Sequence, residues 1–424
     1  MKAVSKPDKK LKFLFLTADK YPPFRADVKI LFGRELAGRG HLIDWILQSE
    51  NACRKAYHAT WEGGRVWVGP ADKGAGPLRR LKKRICDIIG DLKLFQLMAA
   101  EKYDFIQVKD KFISALFGLW GARIYKSKFI FWLSYPFPEA NIYKAVSGAA
   151  RYPLLYFIRG HFIKYLLYNI ILPKSDHIFV QSVQMQKDIA AQGIPNDKMT
   201  AVPMGISLEE TVRQSHPSSS AYDLQLNAGE KMILYVGTLT RVRKLDFLVR
   251  VLAEIVPSYG NLKLCFAGCG EDPADERMLR DEALRIGVRE HVIFSGFLSS
   301  LEVQHYILRA DICVSPFYPT FVLNSTSPTK IIEYMALGRA VVANDHPEQR
   351  IVLSESGGGI CVPYDEKAFA GAILELLHEP DKAVEMGAMG REYVLKNRNY
   401  KIIADMLEKE YYRIMGRRSP SRSF

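Results

Sequence analysis

The chain has 424 residues, 48% of them hydrophobic and 25% charged, which are the proportions of an ordinary globular protein and predict two or three domains. Its formal net charge of +13 indicates an anionic partner, but no basic-aromatic motif of a nucleic-acid-binding module occurs, so we expect no nucleic acid. The six scattered cysteines form no CxxC motif and have no clustered histidines, and no secretory apolar core precedes the first strand. These features argue against a disulfide framework, predict no metal site and indicate a reducing, cytoplasmic compartment.

Short apolar runs alternate with helical segments through the first half of the chain. The predicted strands are KFLFLT from Lys12, LIDWIL from Leu42, RVWVG from Arg65, DFIQV from Asp104, KFIFWL from Lys128, HIFV from His177 and MTAVP from Met199. The predicted helices end near Arg39-Gly40, run from Leu78 to Ala100, end at Tyr125, and run from Val183 to Gln192. This alternation predicts a parallel sheet covered by helices on both faces.

The segment from Tyr152 to Pro173 interrupts this alternation with aromatic and aliphatic residues. Its length is close to that of a membrane-spanning helix, but Arg159, His161 and Lys164 lie within it. Basic residues between apolar ones suit a helix in a membrane interface, and a long core helix of the first domain is the alternative. An earlier basic run fits an anionic membrane surface or, alternatively, a solvated face: Arg79, Arg80, Lys82, Lys83 and Arg84.

A polar stretch from about Ser207 to Glu230 is predicted to be a linker. Beyond it, strands are predicted at MILYVG from Met232, LKLCFAG from Leu262, HVIFSG from His291, DICVS from Asp311, AVVA from Ala340 and GICV from Gly359, and then a helical tail to Gly416. We therefore predict an α/β protein with an N-terminal domain (1–206), a linker (207–230), a C-terminal domain (231–395) and a C-terminal helix with a disordered basic tail (396–424). We expect a cleft between the two doubly wound domains, with the carboxyl ends of the strands facing it.

The helix predicted just before the AVVA strand has a start suited to an anion. Ser327 is expected to be its N-cap and Pro328 its first residue. The N–H groups of Thr329 and Lys330 would then be free at a positive helix end. Glu333 lies outside the apolar stripe, on the same side of the helix as Thr329 and Lys330. Its carboxylate could accept hydrogen bonds from a ribose there. The alternative is an ordinary capped helix with a solvated glutamate.

Loops after other strands of the second half carry residues suited to a nucleotide. Two of them follow the first strand directly, Gly237 and Thr238. Three cations then precede the next helix, where they would clamp a diphosphate: Arg241, Arg243 and Lys244. Close backbone approach and contact with the base are predicted for Gly268, Gly270, Phe297 and Leu298.

The segments YVGTL, FAGCGE, GFLSS, ADICVSP, SPTKIIEYMALGRAVVAND and GGGICV, in this order, resemble the donor-binding half of the retaining glycosyltransferases of family 4. The first half is similar through KFLFLTADKYPP, RELAGRGH and SDHIFVQSVQMQKDI. The resemblance implies the GT-B fold, with two Rossmann-like doubly wound domains facing a central cleft. It also implies a nucleoside diphosphate sugar as donor substrate, retention at the anomeric carbon, and no obligatory metal or other cofactor.

The resemblance assigns roles position by position. Lys244 matches the phosphate-binding lysine, and Thr238 stands where an arginine is usual, so that Arg241 or Arg243 would replace it. Glu333 matches the second glutamate of a paired-glutamate motif, and Ser325 stands in place of the first. The implied catalytic group is Arg241, Lys244, Ser325 and Glu333, and the implied donor site adds Pro328, Thr329 and Lys330.

The acceptor side departs from the family pattern. Ala26-Asp27 replaces a glycine pair, and Ser134 and Tyr135 stand where a histidine is common. We expect the acceptor to be held by Arg25, Asp27, Tyr135 and Glu139.

The sequence therefore predicts a retaining glycosyltransferase that acts on a glycan or lipid-linked acceptor at the cytoplasmic membrane face, with peripheral contact to anionic membrane. No carboxylate nucleophile is evident, which favours front-face attack by the acceptor hydroxyl. The alternatives are a catalytically impaired nucleotide-sugar-binding subunit, suggested by Ser325, and a GT-B-like sugar-nucleotide epimerase.

Overall fold

The computed structural model describes residues 9–51, 53, 55–71, 77–148, 150–207 and 226–416, except for the side chains of 77–81. These residues form two compact units, one containing the residues up to 203 together with those from 400, and the other containing residues 204–399. Most of the predicted linker (208–225), the basic tail (417–424) and the side chains of Arg79 and Arg80 lie outside the described residues.

The first unit is built on an eight-stranded sheet. Its strands are β1 (Lys12–Tyr21), β2 (Leu42–Ser49), β3 (Tyr57–Trp61), β4 (Gly64–Gly69), β5 (Phe105–Lys109), β6 (Lys128–Leu133), β7 (His177–Val180) and β8 (Met199–Ala201). The order is β3-β4-β2-β1-β5-β6-β7-β8, and the pairs are parallel except that β3 is antiparallel to β4. The central strands are buried on both faces, as their continuous apolar runs predict.

The edge strand β3 was not predicted from the sequence. Its residues are mostly exposed, so it lacks the apolar run that marks the other strands. A two-residue turn at Glu62-Gly63, with φ of 48° and 76°, joins it to β4. Positive φ at both turn positions matches the twist of a hairpin, so the Glu-Gly-Gly sequence was the available signal.

Helices cover both faces of this sheet. They are a π-type helix (Asp27–Leu36), α1 (Pro77–Asp91), α2 (Lys93–Ala100), α3 (Phe112–Ile124), α4 (Phe137–Val146), α5 (Pro153–Leu166) with its continuations Leu167–Ile171 and α6 (Leu172–Lys174), and α7 (Val183–Ala190). The helices α2, α3 and α7 and the end of α5 pack on one face. The π-type helix packs on the other.

The second unit contains a six-stranded parallel sheet of order β11-β10-β9-β12-β13-β14. The strands are β9 (Lys231–Val236), β10 (Leu262–Ala267), β11 (Val292–Gly296), β12 (Ile312–Ser315), β13 (Val341–Asn344) and β14 (Gly359–Val362). The helices are α8 (Asp246–Ile255), α9 (Pro273–Arg285), α10 (Ser300–Arg309), α11 (Phe321–Asn324), α12 (Thr329–Ala336), α13 (Pro347–Ser356), α14 (Glu366–His378) and α15 (Pro380–Asn397). The strand order reverses between β9 and β12, and a ligand crevice is expected at the carboxyl ends of such strands.

The last helix, α16 (Tyr400–Gly416), belongs to the first unit. Its buried stripe includes Leu407 and Tyr411, and the Tyr411 ring lies edge-on to Phe13 and Phe105 at 4.8 and 5.0 Å. The sequence predicted a separate C-terminal helix, because helical periodicity shows which face is apolar but not which core receives it.

The segment from Tyr152 to Pro173 is buried on one side and exposed on the other, and its contact with a membrane stays a prediction. Gly160, Ile163 and Leu166 are buried in the unit, as in a core helix. The opposite side of α5 is exposed along most of its length. Within the described residues, no helix is long and apolar enough to cross a membrane.

Candidate functional site

The helix α12 begins one residue later than predicted. Pro328 holds the N-cap position with an extended backbone and provides no side-chain cap. The Ser327 hydroxyl accepts a hydrogen bond from the Met204 N–H at 3.1 Å, so it is not the cap of this helix. The predicted N-cap was therefore wrong, and anion binding at the start of α12 stays a prediction.

Tyr334 fixes α12 against the end of β9. Its ring is buried, and its hydroxyl accepts a hydrogen bond from the Val236 N–H at 2.8 Å. The bond places the N-terminal half of α12 beside Gly237, which follows β9 directly. Residues from two distant segments of the chain thus meet at the carboxyl edge of the sheet.

Lys330 lies in this corner with its side chain buried. Its Nζ is 4.9 Å from the centre of the Tyr235 ring and 5.3 Å from that of Phe317, both within range of cation–π attraction. No carboxylate lies within 4.0 Å of this Nζ among the residues that the structure describes. Burial holds the pKa of Lys330 well below its ordinary value, the charge of Arg243 adds to this, and Glu333 opposes it. A buried cation without a paired carboxylate is energetically costly.

Two glycines make the close approaches at this edge possible. A Cβ on Gly237 would lie 2.7 Å from Lys330 Cε, and one on Gly268 would lie 2.1 Å from the Gly237 carbonyl oxygen. Their φ angles are 142° for Gly237 and 144° for Gly268, values that residues with a side chain rarely adopt. Gly268 also bridges to Gly296 at the end of β11. Gly270, whose close approach to the donor stays a prediction, packs against Asp275, whose Cβ would be 2.6 Å from an added Cβ.

The three predicted cations have different surroundings. Arg241 turns to Asp275 of α9, at 3.6 Å, and lines an open pocket of about 350 Å³. Arg243 donates to the Thr238 hydroxyl at 2.8 Å, and its charge acts on Lys330. Lys244 is exposed in a left-handed conformation, φ 52°, just before α8. Of the two arginines that the sequence left open, the structure places Arg243 beside Lys330, whereas the expected catalytic role was given to Arg241.

The two motif positions differ in accessibility. Ser325 is buried, and its hydroxyl donates to the Phe321 carbonyl at 3.3 Å, at the end of α11. Glu333 is on the exposed side of α12. The protein around Glu333 nevertheless raises the pKa of its carboxyl, an effect that Lys330 opposes. Ser325 therefore has a visible packing role, and Glu333 is open to a ligand.

The two residues predicted to contact a base lie after β11. Phe297 is 82% exposed. Leu298 is half-buried against the core of the second unit. The exposed ring is thus free for stacking, and the neighbouring leucine anchors the loop.

Buried charges collect in the first unit where β5 and β6 end. Lys109 has no exposed surface, its ammonium pairs with the Asp27 carboxylate, and its Nζ lies 4.8 Å from the centre of the Trp132 ring. Burial alone would raise the pKa of Asp27, but Lys109 and Arg25 hold it below its ordinary value. Sequence reasoning missed Lys109. Its position at the end of an apolar strand was the available signal.

Arg25 lies among carboxylates in the same cluster. Its guanidinium is 3.5 Å from Asp27 and 3.8 Å from Asp19. A third carboxylate, Asp110, is 3.9 Å away and has a left-handed backbone, φ 59°. Burial raises the pKa of Asp110. The charge of Lys109 and the hydrogen bonds that Asp110 accepts from Ser134 oppose this shift. A strained residue at the end of a central strand is typical of a functional site.

The other two predicted acceptor residues, Glu139 and Tyr135, make contacts of their own. Glu139, in the first turn of α4, accepts a hydrogen bond from the Tyr168 hydroxyl at 3.1 Å, and burial raises its pKa. The Tyr135 ring packs edge-on to Phe137 at 5.2 Å. In the described part of the chain, no hydrogen bond or ion pair joins Glu139 to Arg25 or Asp27. The described residues also contain no group of three or more His, Cys, Asp or Glu side chains that could hold a metal ion.

Comparisons with known proteins agree with this architecture. Residues 221–393 match the family described as glycosyl transferases group 1, and residues 32–205 match a glycosyl transferase 4-like domain. The alpha-monoglucosyldiacylglycerol synthase of Streptococcus pneumoniae is 24% identical over 344 residues, which are 79% of this chain and 71% of that protein. The phosphatidyl-myo-inositol mannosyltransferase of Mycobacterium leprae is 27% identical over 43% of this chain and 46% of that protein.

Solved structures show the same fold. Sucrose-phosphate synthase from Thermosynechococcus elongatus has a TM-score of 0.71 at 19% identity, covering 96% of this chain and 99% of that one. Anabaena HepE, crystallised with UDP and glucose, has a TM-score of 0.65 at 13% identity, covering 95% and 99%. Two doubly wound α/β units of this kind define a GT-B glycosyltransferase. The chain belongs to the family 4 type of these enzymes, so the predicted fold and family are confirmed.

Replacing Lys330 with methionine should stabilise the ligand-free protein, because a buried cation without a carboxylate partner weakens the fold. The pKa of Lys330 is lower in the folded protein than in the unfolded chain, where it is about 10.4. The destabilisation is therefore fully present below the folded-state pKa and is lost as the pH rises toward the unfolded-state pKa. We therefore expect a higher melting temperature at neutral pH, by about 2–4 °C for each kcal/mol gained, and a smaller gain near pH 10. Thermal unfolding across pH measures both, with the exposed Lys367→Met as control. A lower melting temperature would show that Lys330 is a structural residue.

Replacing Lys109 with methionine should destabilise the first unit by ~3–5 kcal/mol, because the buried Asp27 would lose its buried partner and keep only the more exposed Arg25 nearby. The double variant Lys109→Met/Asp27→Asn should recover much of that loss, since it removes both charges. Denaturant unfolding measures the free energies, and the exposed Lys102→Met is the matched control. Equal destabilisation in the single and double variants would contradict the importance of the ion pair.

Proposed function

We propose that the protein is a retaining glycosyltransferase that takes its sugar from a nucleoside diphosphate sugar. The observation that carries this proposal is the buried ammonium of Lys330, which has no carboxylate partner among the described residues and lies beside the start of α12. A diphosphate supplies the missing negative charge and accepts hydrogen bonds from the helix N–H groups. The crystallised relative with bound UDP and glucose makes UDP-glucose the first donor to test.

The remaining donor contacts follow from the same corner. Arg243 and Lys244 would also meet the phosphates, and Glu333 would accept hydrogen bonds from the ribose hydroxyls. Phe297 would stack on the base, since its ring is exposed at the neighbouring strand end. Gly237 and Gly268 would let the diphosphate approach the backbone closely.

The reaction consistent with this site is front-face substitution. The bond from the anomeric carbon to the diphosphate oxygen breaks, and its electron pair leaves with the phosphate. The acceptor hydroxyl oxygen bonds to the same face of the carbon, which retains the configuration, and its proton passes to the departing phosphate oxygen. Lys330, Arg243 and Lys244 stabilise the charge that develops there, so that we propose no obligatory metal.

We further propose that the acceptor is a glycan or a lipid-linked hydroxyl, reached at the cytoplasmic face of a membrane with which the protein associates peripherally. Two relatives have lipids in their names, a monoglucosyldiacylglycerol synthase and a phosphatidyl-myo-inositol mannosyltransferase. The Arg25 cluster, at the carboxyl ends of the strands, is the proposed place for the acceptor hydroxyl. The relatives do not favour the epimerase or the binding subunit.

Replacing Glu333 with alanine should weaken binding of one nucleoside diphosphate by roughly 10- to 100-fold, the value of hydrogen bonds to a charged group. A thermal-shift panel of nucleoside diphosphates and their sugars, followed by calorimetry on the best ligand, measures the change. The exposed Glu385→Ala is the control and should bind as the wild type does. Unchanged affinity in Glu333→Ala would remove this residue from the donor site.

Retention and transfer can be tested on the donor that this panel identifies. Incubation without acceptor should release free sugar slowly, since a transferase leaks to water, whereas a binding subunit should release none. Proton NMR of the early product should show the same anomer as in the donor. The opposite anomer would exclude the retaining mechanism, and the absence of any turnover, with or without acceptor, would favour the impaired subunit.

A further inference from the structure

Two helices of the first unit expose apolar side chains at helical spacing. On α5, Leu154, Ile158 and Phe162 are four residues apart, and each is more than half exposed. On α1, Ile85 and Ile89 have the same spacing and are also exposed. Contiguous exposed apolar residues of this kind mark an interaction surface.

The position of α5 is fixed by packing on its other side. A Cβ on Gly160 would lie 2.6 Å from Ile142 of α4, so the two helices are in close contact. Ile163 and Leu166 are buried in the core of the unit. The exposed stripe therefore cannot turn inward without breaking this core.

Cations border both stripes, and the acidic residue nearest to Arg84 in sequence is Asp87. Neither segment 77–86 nor segment 151–174 contains an aspartate or a glutamate. Within the described residues, no carboxylate lies within 4.0 Å of the guanidinium groups of Arg84 and Arg159. Burial and the nearby positive charge of Arg84 lower the pKa of Arg159, so the two groups are neighbours in space. The donor geometry of a guanidinium group matches the oxygens of a phosphodiester.

We propose that α1 and α5 together form a docking surface for an anionic phospholipid bilayer, with Arg84 and Arg159 binding a headgroup phosphate. The stripes of Leu154, Ile158 and Phe162 and of Ile85 and Ile89 enter the interface between headgroups and acyl chains. A bilayer fits both the apolar and the cationic parts, whereas a second copy of this chain would bring like charges together. The inference deepens the membrane location within the proposed function, but bilayer binding itself needs no sugar nucleotide.

Vesicle flotation at low salt tests the surface. The protein should float with vesicles of phosphatidylglycerol in phosphatidylcholine and not with phosphatidylcholine alone. Arg84→Gln/Arg159→Gln should lower the partition coefficient about thirtyfold, the equivalent of ~1 kcal/mol for each basic residue near an anionic surface. The matched control is Arg309→Gln/Lys367→Gln, which removes two exposed cations from the other unit and should float as the wild type does.

The apolar stripe is tested by Leu154→Ser/Ile158→Ser/Phe162→Ser, which changes only exposed side chains and should abolish flotation. Nucleotide-induced thermal shifts in all variants show that they are folded and test donor binding separately. Failure of the wild type to float overturns the docking surface, and equal flotation of the arginine variant overturns the headgroup site. A dimer detected by light scattering that the serine variant dissociates would identify a second copy as the occupant and overturn the proposal.

Discussion

The site in the second unit depends on the buried ammonium of Lys330. It occupies a corner made by the end of β9, the start of α12 and the ring of Phe317, and Gly237 must lack a side chain for it to fit. Burying a charge costs several kcal/mol unless an opposite charge is supplied, and no described carboxylate supplies it here. A bound diphosphate would meet that cost, so ligand binding and the stability of this unit are physically coupled.

Much of this corner could be predicted from the sequence, because it follows from local patterns. The apolar stripe of α12, the place of Glu333 and the glycine after β9 depend on residues a few positions apart. The start of α12 was predicted one residue too early, since Ser327 is engaged by Met204 from a distant segment. The choice between Arg241 and Arg243 depended on Asp275 of α9, a contact that no spacing along the chain reveals.

In the first unit, even more of the candidate site depends on contacts between distant segments, which the sequence does not reveal. Its parallel strands follow from continuous apolar runs, but the pair of Lys109 and Asp27 joins the end of β5 to the π-type helix. Such a pair forms only after the sheet order is set, so a sequence shows two charged residues and not their contact. Two of the four expected acceptor residues lie in this cluster, and Glu139 is engaged elsewhere by Tyr168. The packing of α16 on this unit could likewise not be predicted from the helical periodicity of its sequence.

The cations that contribute to the net charge of +13 have two physically different proposed roles. Lys330 acts as a desolvated cation at short range, where salt screens little and geometry decides which anion binds. Arg84 and Arg159 are exposed cations, whose attraction to an anionic surface weakens as salt shortens the screening length to about 8–10 Å. Donor binding should therefore persist at salt concentrations that release the protein from a bilayer. Such a difference would let an enzyme hold its small substrate firmly while its contact with a membrane remains reversible.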